Sequence, residues 1–511
     1  MATRRRIGVL AILAAGGVIV AVGYYLWPPA GDRSLRAFVH STPPVPIVFT
    51  SRSEPMSLVA AAPQGEGYTA PGQRLWAATE GRLRLLTPRG TVHELTWGKR
   101  LADGSTLIDV MSPSVSPDGR TIIFAGRRST GHGRFRLYEI NVDGTGLTPL
   151  TGGDDDPGCT NLPPMRYADD GMTRLSDDQR RREDYDDFDP IHLNVPGQVL
   201  FASSREPDLG RGHSRRSTAL WVMSRFTQTD GKMSAQAVTA NRNNDRWPVL
   251  LKTNLVAFSL WSRNPEVVTG DERDIQPFDP TKGVGSWPAD NWLGAFTGIV
   301  SPQFGGLIKP HVPVWRMRPL FNGKFVFMTS FEYPAPGHGT VPPVLWVVQA
   351  EPGLLHNVPS AKPADSNMPL QERYAITRGP ERDTDGRPLS LATPSPCPDH
   401  HVVMSGAVLE GDDSAPQPGG YGLYLAGDDW SSDSAADPDA VKLRRLFDDP
   451  RLEDSEPVAV YNRGIAVWDK VTDPKLPSEP GPITLADGST YRGPVGHVFA
   501  SGLYMNQHFN L

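Results

Sequence analysis

The side chains in this sequence best suited to chemistry are aspartates, histidines, tryptophans and arginines, and none of them is spaced as a known reaction requires. Acidic clusters occur at Asp154-Asp155-Asp156, at Asp184, Asp186, Asp187 and Asp189, at Asp412-Asp413 and at Asp428-Asp429. Grouped carboxylates offer hard oxygen ligands to calcium, but none of these has the spacing of a calcium loop. Asp383-x-Asp385-Gly386 begins like one and lacks the closing glutamate. The alternative is solvated loop tips and Asx-turns between strands. His400 and His401 open an expected strand, where adjacent side chains point to opposite faces, so one site could hardly use both. The other ten histidines form no H-x-H or H-E-x-x-H pattern. Neither a G-x-S-x-G nucleophile elbow nor a phosphate-binding glycine loop occurs. Cys159 and Cys397 are the only cysteines, without C-x-x-C or C-x-x-C-H. Hence no catalytic residue, metal or haem is expected, and no other cofactor. Whether the two thiols are bridged stays open.

Aromatic residues are more suggestive. Trp247, Trp261, Trp287, Trp292 and Trp315 fall within 69 residues. Exposed aromatic planes beside polar groups suit a sugar, a peptide or a partner protein; the alternative is that they pack an irregular insertion onto its scaffold. Arg205, Arg216, Arg246, Arg263 and Arg316 could line a mouth that receives an acidic group. The binding candidates are therefore Trp247, Trp261, Trp287, Trp292, Arg205 and Arg246.

The elements that must position these residues are short strands. With 51 glycines, 50 prolines and 21% charged residues, the composition fits many short elements and turns. An aliphatic run ending in Phe or Met and then small polar residues recurs, with markers at Phe49, Phe124, Phe201, Phe258, Phe327 and Met404. Such runs, bounded by turn residues, read as buried strands. A proline leads into another strand ahead of most markers, at Pro113, Pro190, Pro248, Pro319 and Pro394, and further strands follow each. Six repeats of four antiparallel strands predict an all-β, six-bladed β-propeller over residues 32–470, because stacked blades bury faces that one repeat leaves bare. Residues 264–312 and 356–390 read as insertions and 471–511 as a C-terminal tail. A seventh proline-led strand at Asp454 to Tyr461 is expected to complete the first blade and close the ring.

Ser114-Val115-Ser116-Pro117-Asp118-Gly119-Arg120, followed by Leu137-Tyr138 and Asn141-Val142-Asp143-Gly144, resembles the repeat of TolB-type propellers. Asp186-Asp187-Phe188-Asp189-Pro190, Asn244-Asp245-Arg246-Trp247-Pro248, Trp261 and Gly422-Leu423-Tyr424-Leu425 are similar to the middle, propeller domain of the hydrazine synthase alpha subunit family. The likeness covers roughly residues 40–465. It implies the fold, and it implies a haem-less accessory or divergent subunit of a redox complex as one function, since that family's covalent c-haem motifs are missing.

The first thirty residues are of another kind. Arg4, Arg5 and Arg6 precede Ile7 to Trp27, which carry no charge. A helix of that length spans roughly 30 Å, a hydrocarbon core, and the arginines favour the cytoplasmic side. Residues 1–31 are thus expected to be a single-pass anchor in a bacterial inner membrane, with the bulk of the chain in the periplasm or outside the cell. A cleaved signal peptide, with Ala21-Val22-Gly23 as the cleavage region, is the alternative. The net charge of −6 argues against a nucleic-acid partner. The expected function is a membrane-tethered binding or scaffold module for a protein or small molecule of the cell envelope.

Overall fold

The computed structural model describes residues 33–53, 78–129, 134–159, most of 174–206, 218–227, 233–239, 244–251, 255–263, 290–298, 305–308, 314–321, 325–329, 345–350, 381–409, 420–428 and 443–462, and two short strands between 483 and 491. The expected anchor segment 7–27, Trp287, Arg216, Asp184, Asp412, Asp413 and Asp429 lie outside the described residues. Among those described, no helix is long and apolar enough to cross a membrane.

Six antiparallel sheets follow one another along the chain. The first contains β1 (Ile47–Arg52), β2 (Gly81–Leu86) and β3 (Val92–Glu94). The second runs β4 (Leu107–Val115), β5 (Thr121–Arg128), β6 (Phe135–Asn141) and β7 (Thr148–Pro149). A short helix, α1 (Asp177–Glu183), precedes the third sheet of β8 (Asp187–His192), β9 (Gln198–Ser203), β10 (Ala219–Thr227) and β11 (Met233–Ala237). The fourth has β12 (Asp245–Leu250), β13 (Leu255–Arg263), β14 (Asp290–Gly298) and β15 (Gly305–Ile308). The fifth has β16 (Trp315–Pro319), β17 (Phe325–Thr329) and β18 (Trp346–Ala350). The sixth has β19 (Leu389–Cys397), β20 (His401–Val408), β21 (Tyr421–Gly427) and β22 (Arg444–Phe447). Then β23 (Glu453–Ala459) returns to pair with β1, Ile47 opposite Ala459 and Ser51 opposite Asp454. A separate ribbon joins β24 (Ile483–Thr484) to β25 (Thr490–Tyr491).

The innermost strand of each sheet packs on the sheet before it, β4 on the first, β8 on the second and so on round to β23 on the sixth. This is an all-β, propeller-like ring. Five sheets have the four strands of a complete blade, where six were expected. The β16–β18 sheet has three, and residues 351–380 after it lie outside the described residues. The expected insertion at 264–312 contains β14 and β15, the third and fourth strands of their blade. The predicted closing strand is present and begins slightly earlier, at Glu453.

All six marker side chains are fully buried in the second strands of their sheets. They feed cores that lie between sheets, as where Ile123 and Leu137 meet Phe188 and Leu200. A second device ties neighbours together. A backbone N–H at the start of a blade's third strand, or just ahead of it, donates to a side chain near the start of the next blade's inner strand. Ala78 N reaches Asp109 Oδ2 at 2.7 Å, Phe135 N reaches Asp186 Oδ1 at 2.8 Å, and Thr218 N reaches Asn244 Oδ1 at 3.0 Å. Leu345 N meets Ser390 Oγ at 2.9 Å and Tyr421 N meets Glu453 Oε2 at 3.1 Å. Each latch satisfies a buried donor that the sheet itself leaves unpaired. At the first of them the approach is so close that a Cβ on Gly81 would lie 2.5 Å from Asp109 Oδ1, which excludes any larger residue.

Candidate functional site at the ring axis

Each innermost strand breaks its ladder at an equivalent place, between Met111 and Ser114, Phe188 and Ile191, Arg246 and Val249, Trp315 and Arg318, and Ala392 and Ser395, with a matching break in β1 opposite β23; β4 has a further shift between Leu107 and Asp109. At each of the six equivalent breaks stands a non-glycine residue with positive φ. They are Ser112, Asp189, Trp247, Arg316, Thr393 and Glu456, with φ between 47° and 55°. That conformation costs roughly 1–3 kcal/mol per residue, most for a bulky or β-branched one such as Trp247 or Thr393. Its sixfold recurrence marks a built feature. Proline follows in five cases, Pro113, Pro190, Pro248, Pro394 and Pro457. A bulge on an edge strand is where a residue without an N–H is tolerated.

The six positions meet in a buried polar belt. Ser112 Oγ donates to Asp189 Oδ1 at 2.7 Å, and Ser112 N donates to Glu456 Oε2 at 2.6 Å. Asp189 Oδ2 also accepts from Arg246 Nε at 2.5 Å and from Trp247 N at 3.0 Å. Arg316 Nη1 donates to Glu456 Oε1 at 2.5 Å, and Glu456 N donates to Thr393 Oγ1 at 3.1 Å. Burial alone would raise the pKa of Asp189, but the Arg246 guanidinium, with Ser112 and the Trp247 N–H, holds it below the ordinary carboxylate value.

Beside the belt the inner strands enclose a cavity of about 100 Å³. Its walls are proline rings, Trp247, Val249 and Val458, with Ser114, Ser395, His192, Arg316 and Arg318 as polar points. Among the lining residues described, Asp189 is the one carboxylate, and both its oxygens already accept hydrogen bonds. The wall is therefore largely apolar, with Arg318 and the Glu456-paired Arg316 as its cationic points. Arg318 Nη1 is steadied by the carbonyls of Trp247 at 3.1 Å and Met317 at 2.8 Å. His192 Nε2 lies 3.7 Å from Glu139 Oε1, and Glu139 is also gripped by Arg225 at 3.0 and 2.7 Å.

Of the residues singled out from sequence, Trp247 and Arg316 reach this cavity. Arg246 stands behind it, its guanidinium 4.6 Å from the Trp247 ring. Arg205 lies inside the third blade, fully buried, on Asp156 at 2.5 and 2.9 Å and on Asp187 at 2.9 Å. Trp261 and Trp292 stand opposite each other in the backbone register of β13 and β14, as do Arg263 and Asp290. Trp315 is buried in β16.

The other candidates have structural partners. Asp383 accepts from Asp385 N and Arg387 N, both at 2.9 Å, as the head of a turn. His400 Nδ1 lies 2.9 Å from Asp428 Oδ2, while His401 Nδ1 faces the Pro398 carbonyl, so the two rings have separate surroundings. No cluster of three or more His, Cys, Asp or Glu able to hold a metal occurs among the described residues. Cys159 and Cys397 are free and buried, and burial pushes the Cys397 thiol up to about 12.

Sequence reading missed Arg318, His192 and the belt residue Glu456 as parts of one site. The prolines were the available signal, since five mark the residue just before them as a belt position.

No protein-family model and no curated protein matches the chain. Among solved structures, the hydrazine synthase of Kuenenia stuttgartiensis is similar at a TM-score of 0.50 and 14% identity, over 84% of this chain and 48% of that one. The chain thus spans about half the length of that relative. TolB from Acinetobacter baumannii aligns at a TM-score of 0.27 and 11% identity, over 81% of this chain and 66% of that one. The β-propeller domain of the Trilobed protease from Pyrococcus furiosus aligns at 0.28 and 9%, over 68% and 74%. The likeness to hydrazine synthase shows the propeller fold.

Proposed function

We propose that this chain is a membrane-tethered, extracytoplasmic propeller of six blades that binds a small ligand or the end of a peptide at its axis. One observation carries the binding reading. All six inner strands contribute to an apolar, proline-walled cavity with arginines at its polar points and its single lining carboxylate already engaged. An occupant with a compact apolar body and an anionic group complements that wall. The β16–β18 sheet, the fifth in order, completes the count of six blades, because it carries the same left-handed position, at Arg316, and packs between β12 and β19.

In this reading Trp247 contacts the ligand, Arg246 positions Trp247 through Asp189, and Arg205 stiffens the third blade. Trp261 and Trp292 are proposed contacts for a partner protein on the fourth. The alternative, a haem-less subunit of a redox complex, places multihaem proteins on the same scaffold.

Affinity purification of the full chain from solubilised membranes separates these readings. Wild type is expected to carry an anionic small molecule or peptide, and Ser114→Trp, which fills the cavity, is expected to lose it. Capture that survives Ser114→Trp moves binding to the loop faces. Co-purifying cytochromes would favour the alternative.

A further inference from the structure

Residues 33–42 form an added layer on the last blade. Leu35 is buried there, and Phe38 meets Phe447 edge-on at 6.4 Å. Val39 bridges to Phe447, His40 N donates to Leu446 O at 2.9 Å, and Ser41 Oγ donates to Arg445 O at 2.6 Å. The outer edge of β22 is thereby covered. Between Trp27, the end of the expected anchor, and Arg33, where this docked segment starts, lie only residues 28–32. Five residues reach at most about 18 Å.

Around the docked segment, the exposed charges outside ion pairs among the described residues are arginines. Arg36 lies on it, and Arg444 Nη2 donates to Thr42 O at 3.4 Å. Arg89 belongs to the turn whose Gly90 rests against Val39 and Thr42. All three arginines are exposed, and among the described residues none of them has a carboxylate partner. The nearby acids are engaged: Asp448 with Arg445 at 2.7 Å, Asp449 with Arg451 at 2.9 Å and with Arg84 at 3.1 Å, and Asp385, which like Asp448 acts on His40, with Arg387 at 3.0 Å.

We propose that this edge of the last blade lies against the membrane, with Arg36, Arg89 and Arg444 on the phosphates of anionic lipid headgroups. The short link sets the distance, and the arginines supply an attraction that fades within a Debye length. The proposal rests on the reading of residues 7–27 as an uncleaved anchor.

The test uses the full chain in vesicles of phosphatidylcholine, with and without phosphatidylglycerol, carrying a headgroup-attached quencher. A fluorophore is placed at Ala37→Cys or, on the opposite blade, at Gln236→Cys; both sites are exposed and the native thiols are buried. Quenching at least threefold stronger at 37 than at 236 is expected. The reversals Arg36→Glu, Arg89→Glu and Arg444→Glu together should remove half or more of that difference, most clearly with phosphatidylglycerol. Equal quenching at both sites, in chains that still float with the vesicles after a carbonate wash, overturns the orientation. Chains released by the wash overturn the anchor itself, and the orientation falls with it.

Discussion

Asp189 and Asp454 sit two blades apart, a third of the way round the ring, each on an innermost strand, each buried and each near an arginine, yet they titrate in opposite directions. Asp189 has Arg246 at 2.5 Å and two further donors to itself. Asp454 competes for Arg84, which lies 3.9 Å away and is closer to Asp449, at 3.1 Å, and to Glu94, at 2.8 Å. With one cation shared among three carboxylates, burial prevails and raises the pKa of Asp454 well above the ordinary value, against the Asp449 N–H, Ser51 and Arg84. Burying a carboxylate is tolerated either by a dedicated cation or by keeping its proton. The axis uses the first solution and the closing seam the second.

The harshest way to break this comparison removes one side of it. A chain ending at Leu452 loses β23, its ladder with β1, and the Glu456 corner of the belt. It is expected to lose its cooperative thermal transition and to aggregate, as seen by light scattering during melting. A soluble product that melts like wild type would mean that β23 does not close the ring.

Next in size is Asp189→Asn, which removes the buried carboxylate charge that Arg246 Nε meets at 2.5 Å. Roughly 3–5 kcal/mol of stability should be lost, read from urea unfolding. Because the folded pKa of Asp189 is depressed, its contribution is present above the ordinary carboxylate pKa and is lost as pH falls through the folded value. The deficit of the variant should therefore shrink in acid.

A latch tests whether the blades depend on such contacts elsewhere. Ser390→Ala leaves Leu345 N without its acceptor and should cost about 1–2 kcal/mol by the same measurement.

The smallest effect, and the sharpest for the comparison, is Asp454→Asn. Folded Asp454 keeps a proton that the unfolded chain releases near the ordinary pKa. Its advantage is therefore complete below that value and lost as pH rises through the folded one. Asparagine preserves neutral hydrogen bonding, so near pH 4 the two proteins should melt within about 1 kcal/mol of each other. Toward pH 8 the wild type should fall behind. A pH profile parallel to that of the variant would show that Asp454 is ionised in the fold.

The ring was legible in the sequence because its markers obey the period of a buried strand, and all six proved to be second strands. Its closure was legible because Pro457 repeated a pattern used five times before. The same pattern misled at β16. Pro319 resembles its counterparts but ends the strand, and the equivalent of Pro113 and Pro190 is Met317, after the left-handed Arg316. The fourth blade was hidden by composition, since β14, with its Trp and Gly, reads as an irregular excursion. The latches and the belt were harder still. Asp109, Asp186, Asn244, Ser390 and Glu453 do one job with four side-chain types, and the six belt residues are all different. What recurs there is backbone geometry, to which the amino-acid alphabet is nearly blind.

The closing ladder also sets a timetable. The first blade is begun first and finished last, for Ser51 and Asp454 stand 403 residues apart. At about 5–20 residues per second, ribosomal synthesis separates these partners by roughly 20–80 s. Through that interval β1 presents an unsatisfied edge with an apolar start, Ile47-Val48-Phe49, the kind of surface on which chains pair wrongly. A nascent chain of this protein thus has a period of exposure fixed by where the ring is cut, and any factor that shields strand edges has its work concentrated at residues 47–52.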